Sequence, residues 1–226
     1  MGRFSRAPGE GHGSRNFPLF TGRLRPVEPR FAAPSAQLHA RRGDRHAQRD
    51  SRRHRVPARP LLGHSDGASI ATIYAGSIQD HRVRGLVLIA PHFFVEDVSI
   101  KSIAEAKTAY ESGDLKGKLA RWHSDPDNAF HGWNGAWLDP RFRAWDITQE
   151  LAYIRVPILI VQGEDDQYGT AKQIEAAQEE CYCPVDVTLV PGARHAPHRE
   201  AADLTLETVA AFINRLLRTH GEAQAA

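Results

Sequence analysis

The stretch that most constrains this chain runs from residue 60 to 77, PLLGHSDGASIATIYAGS. At its centre Gly63-His64-Ser65-Asp66-Gly67 forms a G-x-S-x-G pentapeptide. The residues before it read as the end of a strand. Those after it are small and apolar at helical spacing (Ala68, Ala71 and Ala75, with Ile70, Ile73 and Tyr74), and Gly76 reads as a helix stop. Strand, sharp turn and helix are the context in which this pentapeptide lifts a serine hydroxyl to the carboxyl edge of a sheet. Such a turn is strained. Gly63 and Gly67 are expected there because a Cβ at either position would collide with the neighbouring strand or helix. The helix starting beneath Ser65 brings unpaired N–H groups and a positive dipole end, which favour negative charge near the hydroxyl. Without the flanking strand and helix, the same pentapeptide would be only a glycine-rich turn.

At 226 residues, 41% of them hydrophobic, the chain can build one large core or two small ones. Its net charge of +2 hides an asymmetry. Residues 1–60 hold fourteen arginines, no lysine and four acids, about +10, which leaves about −8 for the remainder. On composition, residues 1–59 read as an irregular Arg/Pro/Gly-rich segment. That segment has little aromatic interleaving and no nucleic-acid module, so a nucleic-acid partner is not expected. Cys181 and Cys183, one residue apart, are too close for a routine disulfide and too few for a zinc site. No apolar run reaches the length of a membrane span, and no apolar segment follows the basic N-terminus. These features predict a cytoplasmic protein without a membrane partner.

From residue 60 to 220 the order becomes regular. Residues 84–90, 157–163 and 185–190 are short apolar runs, as expected of parallel strands buried on both faces. Helical patterns over about 67–76, 169–180 and 201–218 alternate with them, and 221–226 reads as a tail. This alternation predicts an α/β fold, a mostly parallel sheet with helices on both faces. Residues 91–150 break the rhythm. They read as a helical insertion, with an amphipathic helix over 99–122 interrupted near Gly113, and they contain all four tryptophans (Trp122, Trp133, Trp137 and Trp145). Large rings gathered in one excursion above a sheet suit both a small core and an apolar lid.

A serine hydroxyl needs a base near neutral pH, and the base needs an orienting group. Sites in open α/β sheets lie beyond the carboxyl ends of the strands. After residues 157–163 comes an acidic turn with Glu164, Asp165 and Asp166; after 185–190 comes a loop with His195 and His198. Serine, acid and histidine thus follow in that order, each after its own strand. A metal reading of His195 and His198 has too few ligands. His64, beside the serine, is within reach of a pocket or is a packing residue.

In these features residues 60–218 resemble the α/β-hydrolase superfamily, in particular its capped esterase and lactonase-like branch. The resemblance implies Ser65 as nucleophile, Asp166 (rather than Asp165) as acid and His195 (rather than His198) as base. It also implies the Asp66 backbone N–H as one oxyanion donor, residues 91–150 as a cap, and no metal or cofactor. His64, Phe93, Trp133 and Trp137 are the expected pocket residues. The expected activity is hydrolysis of a carboxylic ester or related acyl bond in a small apolar or aromatic molecule. Residues 5–14 are similar to the R-x-x-G-x-G-x-S turn that follows the family's fourth strand. On that alignment the first three strands and the loop with the second oxyanion donor are missing. The alternative expectation is therefore a catalytically impaired remnant that binds a small ligand.

Overall fold

A computed structural model describes residues 59–225. The expectations that fall on residues 1–58 (the basic segment, the turn at residues 5–14 and the second oxyanion donor) lie outside the described residues. Four strands, β1 (Arg59–His64), β2 (Val83–Ile89), β3 (Ile158–Gly163) and β4 (Val185–Val190), form one parallel sheet in the order β1-β2-β3-β4. Leu86 pairs with Ile158, Val87 with Leu159, Leu88 with Ile160 and Ile89 with Val161.

This register sorts the side chains onto two faces, because successive strand residues point to opposite sides. Leu86, Leu88, Ile158 and Ile160 pack with Ala68, Ile73 and Ala75 of α1 (Asp66–Ile78) and with Ile174 and Ala177 of α6 (Ala171–Glu180). Val87, Ile89, Leu159 and Val161 pack on the other side with Val209, Phe212 and Leu216 of α8 (Ala202–Ala225). Both faces are covered, and the two central strands read as unbroken apolar runs for that reason. α8 continues seven residues beyond its expected end, through the stretch read as a tail.

Gly76 does not stop α1, which continues to Ile78 and ends at Gln79 in the left-handed conformation (φ 50°). A Cβ on Gly76 would lie under 3.0 Å from the Glu150 carbonyl oxygen. The glycine serves the close approach of α1 to α5 (Thr148–Leu151).

Between β2 and β3 the chain makes its helical excursion. α2 (Asp97–Ser112) ends before Gly113, α3 (Leu115–Leu119) follows, then α4 (Pro126–Trp137) and a 3-10 turn (Pro140–Ala144). α4 starts on standard signals: Pro126 in its first turn, and the Asp125 carboxylate accepting from the Asn128 N–H at 3.0 Å. Tyr110 of α2 stacks on Phe130 of α4 with centroids 3.8 Å apart. The two ends of the excursion are tied together: the Ile147 N–H donates to Phe93 O (2.7 Å), and Phe94 bridges Asp146. Trp137 and Trp145 belong to the main core, Trp133 packs against it, and Trp122 is exposed.

Gly163, the last residue of β3, lies so close to the loop after β4 that a Cβ would stand under 3.0 Å from the Ala193 and Arg194 carbonyl oxygens. Gly135, exposed on α4, has open space around it. Gly163→Ala is therefore expected to destabilise the fold by about 3 kcal/mol. Gly135→Ala is expected to stabilise it by about 0.5–1 kcal/mol. Urea unfolding of the two variants beside the parent protein checks both signs.

Candidate active site

Ser65 is the hinge between β1 and α1. Its backbone takes φ 54°, ψ −122°, a conformation that costs a non-glycine residue about 1–3 kcal/mol. Three contacts hold it there: Ser65 N–H donates to Ile89 O (2.9 Å), and Ser65 O accepts from Ala68 N–H (2.8 Å) and Ser69 N–H (3.2 Å). A Cβ on Gly63 would sit under 3.0 Å from Gly67 O, so the turn requires glycine at position 63. At Gly67 the expectation fails, because a Cβ there meets nothing within 4 Å. The crowded atom is Gly67's carbonyl oxygen, not its Cα.

His195 arrives on the loop between β4 and α7 (Pro197–Glu200), with its Nε2 at 3.0 Å from Ser65 Oγ. Its Nδ1 lies 2.9 and 3.0 Å from the two Asp166 carboxylate oxygens. A carboxylate only accepts, so Nδ1 carries the hydrogen, and Nε2 faces the serine hydroxyl. Asp166 also accepts from Gln162 Nε2 and from Tyr168 N–H, both at 2.8 Å. Its side chain is 1% exposed. Asp165 is exposed and joins the His195 loop only through its backbone N–H, which donates to Ala193 O at 2.9 Å. His198 sits edge-on to His64, with centroids 4.6 Å apart.

Of the other residues singled out, His64 donates from Nε2 to the His195 carbonyl at 2.7 Å, which braces the His195 backbone. Burial lowers its pKa from the usual histidine value. Asp66 starts α1 and accepts from Trp137 Nε1 at 3.2 Å, so the excursion touches the turn directly. Trp133 faces Tyr168 edge-on at 6.4 Å. Phe93 is fully buried in the core, its N–H donating to Gln173 Oε1 and its carbonyl accepting from Ile147.

Three neighbours were not read from the sequence. Gln162 holds the Asp166 carboxylate, and Tyr168 sets its ring edge-on against His195 at 4.7 Å. A polar residue at the end of the apolar run ILIVQG was the visible signal for Gln162. The third is His92, just beyond β2, 2% exposed, with its ring 5.5 Å from that of His195 and 5.1 Å from Trp137. Burial, and then the neighbouring His195, push its pKa down to about 3.

The loop that carries Asp166 is held by α2: Ser99 Oγ donates to Tyr168 O, and Ser102 Oγ donates to Gln167 O at 2.7 Å. A cleft lined by Ala75, Gln79, His81, Val83 and Arg155 lies at the amino ends of β2 and β3, the end of the strands remote from Ser65. Among the described residues no group of His, Cys, Asp and Glu is arranged to hold a metal, and no helix is long and apolar enough to cross a membrane.

The sequence matches the model of the alpha/beta hydrolase family over residues 7–208. No curated protein sequence matches it significantly. Among solved structures, the fold is similar to the esterase RhEst1 from Rhodococcus sp. ECU1013 (20% identity, 83% of this chain, 75% of that one, TM-score 0.56). It is also similar to a thermophilic esterase from Thermogutta terrifontis (17%, 79% and 72%, 0.57) and to a bromoperoxidase from Bacillus anthracis (17%, 83% and 77%, 0.58).

Because the folded pKa of His92 lies below the unfolded value of 6.5, the unfolded chain binds the extra proton first as pH falls. Stability is unaffected by this group above 6.5 and is lost progressively between 6.5 and about 3. In urea titrations at pH 7 and pH 5, His92→Phe should lose ~2 kcal/mol less than the parent protein. His64 and His198 are present in both proteins, so their parallel contributions cancel in the difference.

Proposed function

The chain belongs to the alpha/beta hydrolase family, and from that premise we propose that it is a serine hydrolase cleaving a carboxylic ester or related acyl bond of a small, largely apolar molecule. The observation that carries this reading is the unbroken hydrogen-bonded chain from Ser65 Oγ through His195 to Asp166, each link 2.9–3.0 Å long. Ser65 Oγ attacks the carbonyl carbon while its proton passes to His195 Nε2. The resulting imidazolium is stabilised through Nδ1–H by the buried Asp166 carboxylate. The tetrahedral oxyanion accepts from the Asp66 backbone N–H, at the positive end of α1. Collapse breaks the bond to the leaving alcohol, which takes the proton from Nε2, and leaves the acyl group on Ser65. Water, deprotonated by His195, then releases the acid and restores the serine.

The strained backbone at Ser65 supports the reading, since such strain concentrates at functional positions. Residues 91–150 act as a cap, tied to the Ser65 turn by the Trp137 indole N–H that donates to the Asp66 carboxylate. No cofactor takes part, and the partner is a small molecule, not a nucleic acid.

Hydrolysis of p-nitrophenyl butyrate tests the assignment. Ser65→Ala and Asp166→Asn are each expected to lower kcat by roughly 10⁴-fold. Asp165→Asn is expected to leave it within about twofold. Turnover undiminished in Ser65→Ala would reject the serine mechanism, and equal losses in the two aspartate variants would reject the choice of acid.

A further inference from the structure

Gln162 continues the row that Ile158 and Ile160 form on β3, the face packed against α1 and α6. It is 2% exposed, a polar side chain where the strand is otherwise apolar. Its Nε2 donates twice, to Asp166 Oδ2 at 2.8 Å and to Gly169 O at 3.1 Å. Neither oxygen carries a hydrogen, so only the NH2 end of the amide can face them. Its Oε1 is buried and has no hydrogen-bond partner among the described residues. An apolar side chain of the same size would avoid that cost, so filling the core does not account for an amide here. The two donated bonds tie down both ends of a short turn. Between them Gln167 O and Tyr168 O accept from Ser102 and Ser99 of α2, so four successive residues are each held by a side chain from outside the turn. At its start each Asp166 oxygen has its own flanking donor: Tyr168 N–H on Oδ1 and Gln162 Nε2 on Oδ2, both at 2.8 Å. His195 Nδ1 lies 2.9 and 3.0 Å from the same two oxygens.

Rotation of a carboxylate about its Cβ–Cγ bond is soft, with no steep staggered well to hold it. Two donors on opposite oxygens supply what the torsion lacks. We infer that Gln162 is a positioning residue, which fixes the rotation of the Asp166 carboxylate so that both oxygens stay on His195 Nδ1 and the ring stays aimed at Ser65. It acts through Asp166 and touches no reacting atom. With the Tyr168 N–H alone, the carboxylate turns about Oδ1, Oδ2 leaves Nδ1, and Nε2 spends less time against Ser65 Oγ. The amide is uncharged, so it holds the carboxylate without the charge compensation that a lysine or arginine would bring. The negative charge is left to the imidazolium that forms on His195. The inference rests on the hydrolase reading for what the Ser65–His195–Asp166 chain does, while the contacts assigned to Gln162 are independent of it.

Two readouts test this, one kinetic and one that needs no turnover. Gln162→Met keeps the volume and removes both donated bonds. It is expected to lower kcat for p-nitrophenyl butyrate about 10-fold or more with KM within about twofold, since misplacing the base weakens the transition state and not ester binding. Gln162→His, which retains a ring N–H at a similar reach, should recover part of the loss. In proton NMR the His195 Nδ1–H, assigned by its absence in His195→Ala, should give a resolved far-downfield signal in the parent protein. In Gln162→Met it should exchange with water too fast to be seen. Circular dichroism establishes that each variant is folded, and Gln162→Asn, an amide one methylene too short to reach Asp166, stands in if the methionine variant is not. A folded variant with unchanged kcat, a kcat and KM that worsen together, an unchanged Nδ1–H signal, or no such signal in the parent protein would overturn the inference. A parent protein that does not hydrolyse the ester but loses the Nδ1–H signal in Gln162→Met would instead reject the hydrolase reading and leave the role of Gln162 standing.

Discussion

The site depends on two close backbone approaches at strand ends. At Gly63 the carbonyl of Gly67 folds back over the end of β1, and at Gly163 the carbonyls of residues 193 and 194 lie against the end of β3. Any side chain at either position would push the loops apart by an ångström or more. The first approach forces Ser65 into its positive-φ corner. The second lets the His195 loop lie against the Asp166 turn, closely enough for both carboxylate oxygens to reach Nδ1. Removing two Cβ atoms thus sets the spacing of three side chains that are 29 to 130 residues apart in the chain.

Packing carries that geometry outward. The sheet supplies a rigid base because both faces of β2 and β3 are buried under helices. Above it, α2 holds the Asp166 loop by two serine hydroxyls, Gln173 holds the first residues of the excursion, and Trp137 reaches the Ser65 turn through Asp66. Displacing α2 would therefore loosen the turn that carries Asp166.

Much of this was legible locally. Ser65, Asp166 and His195 each follow a short apolar run, so knowing where strands end was enough to find the three loops. The choice between Asp165 and Asp166 came from a resemblance, and in the structure it turns on which way one residue of a tight turn points. Helix starts such as Asp125-Pro126 carried their own capping chemistry. What was misread had a common cause. A glycine that ends a helix and a glycine that lets two helices touch look the same in sequence, and Gly76 is of the second kind, marking contact with Glu150. Gly67 was assigned a steric role that belongs to its carbonyl oxygen. Phe93 looked like a pocket residue, but the return of the chain at Ile147 seals it into the core. The burial of His92 has no local signal, because Trp137 and the loop at Gly169, 45 and more residues away in sequence, create it.

The most direct test of the account is covalent. A fluorophosphonate reacts with a serine only where a base has activated it, so labelling of the folded protein, with the adduct mapped by mass spectrometry, reads the assembled Ser65–His195–Asp166 chain itself. One adduct is expected, on Ser65, that disappears in Ser65→Ala and is strongly slowed in His195→Ala. A folded protein that takes no label, or takes it on another serine, would contradict it.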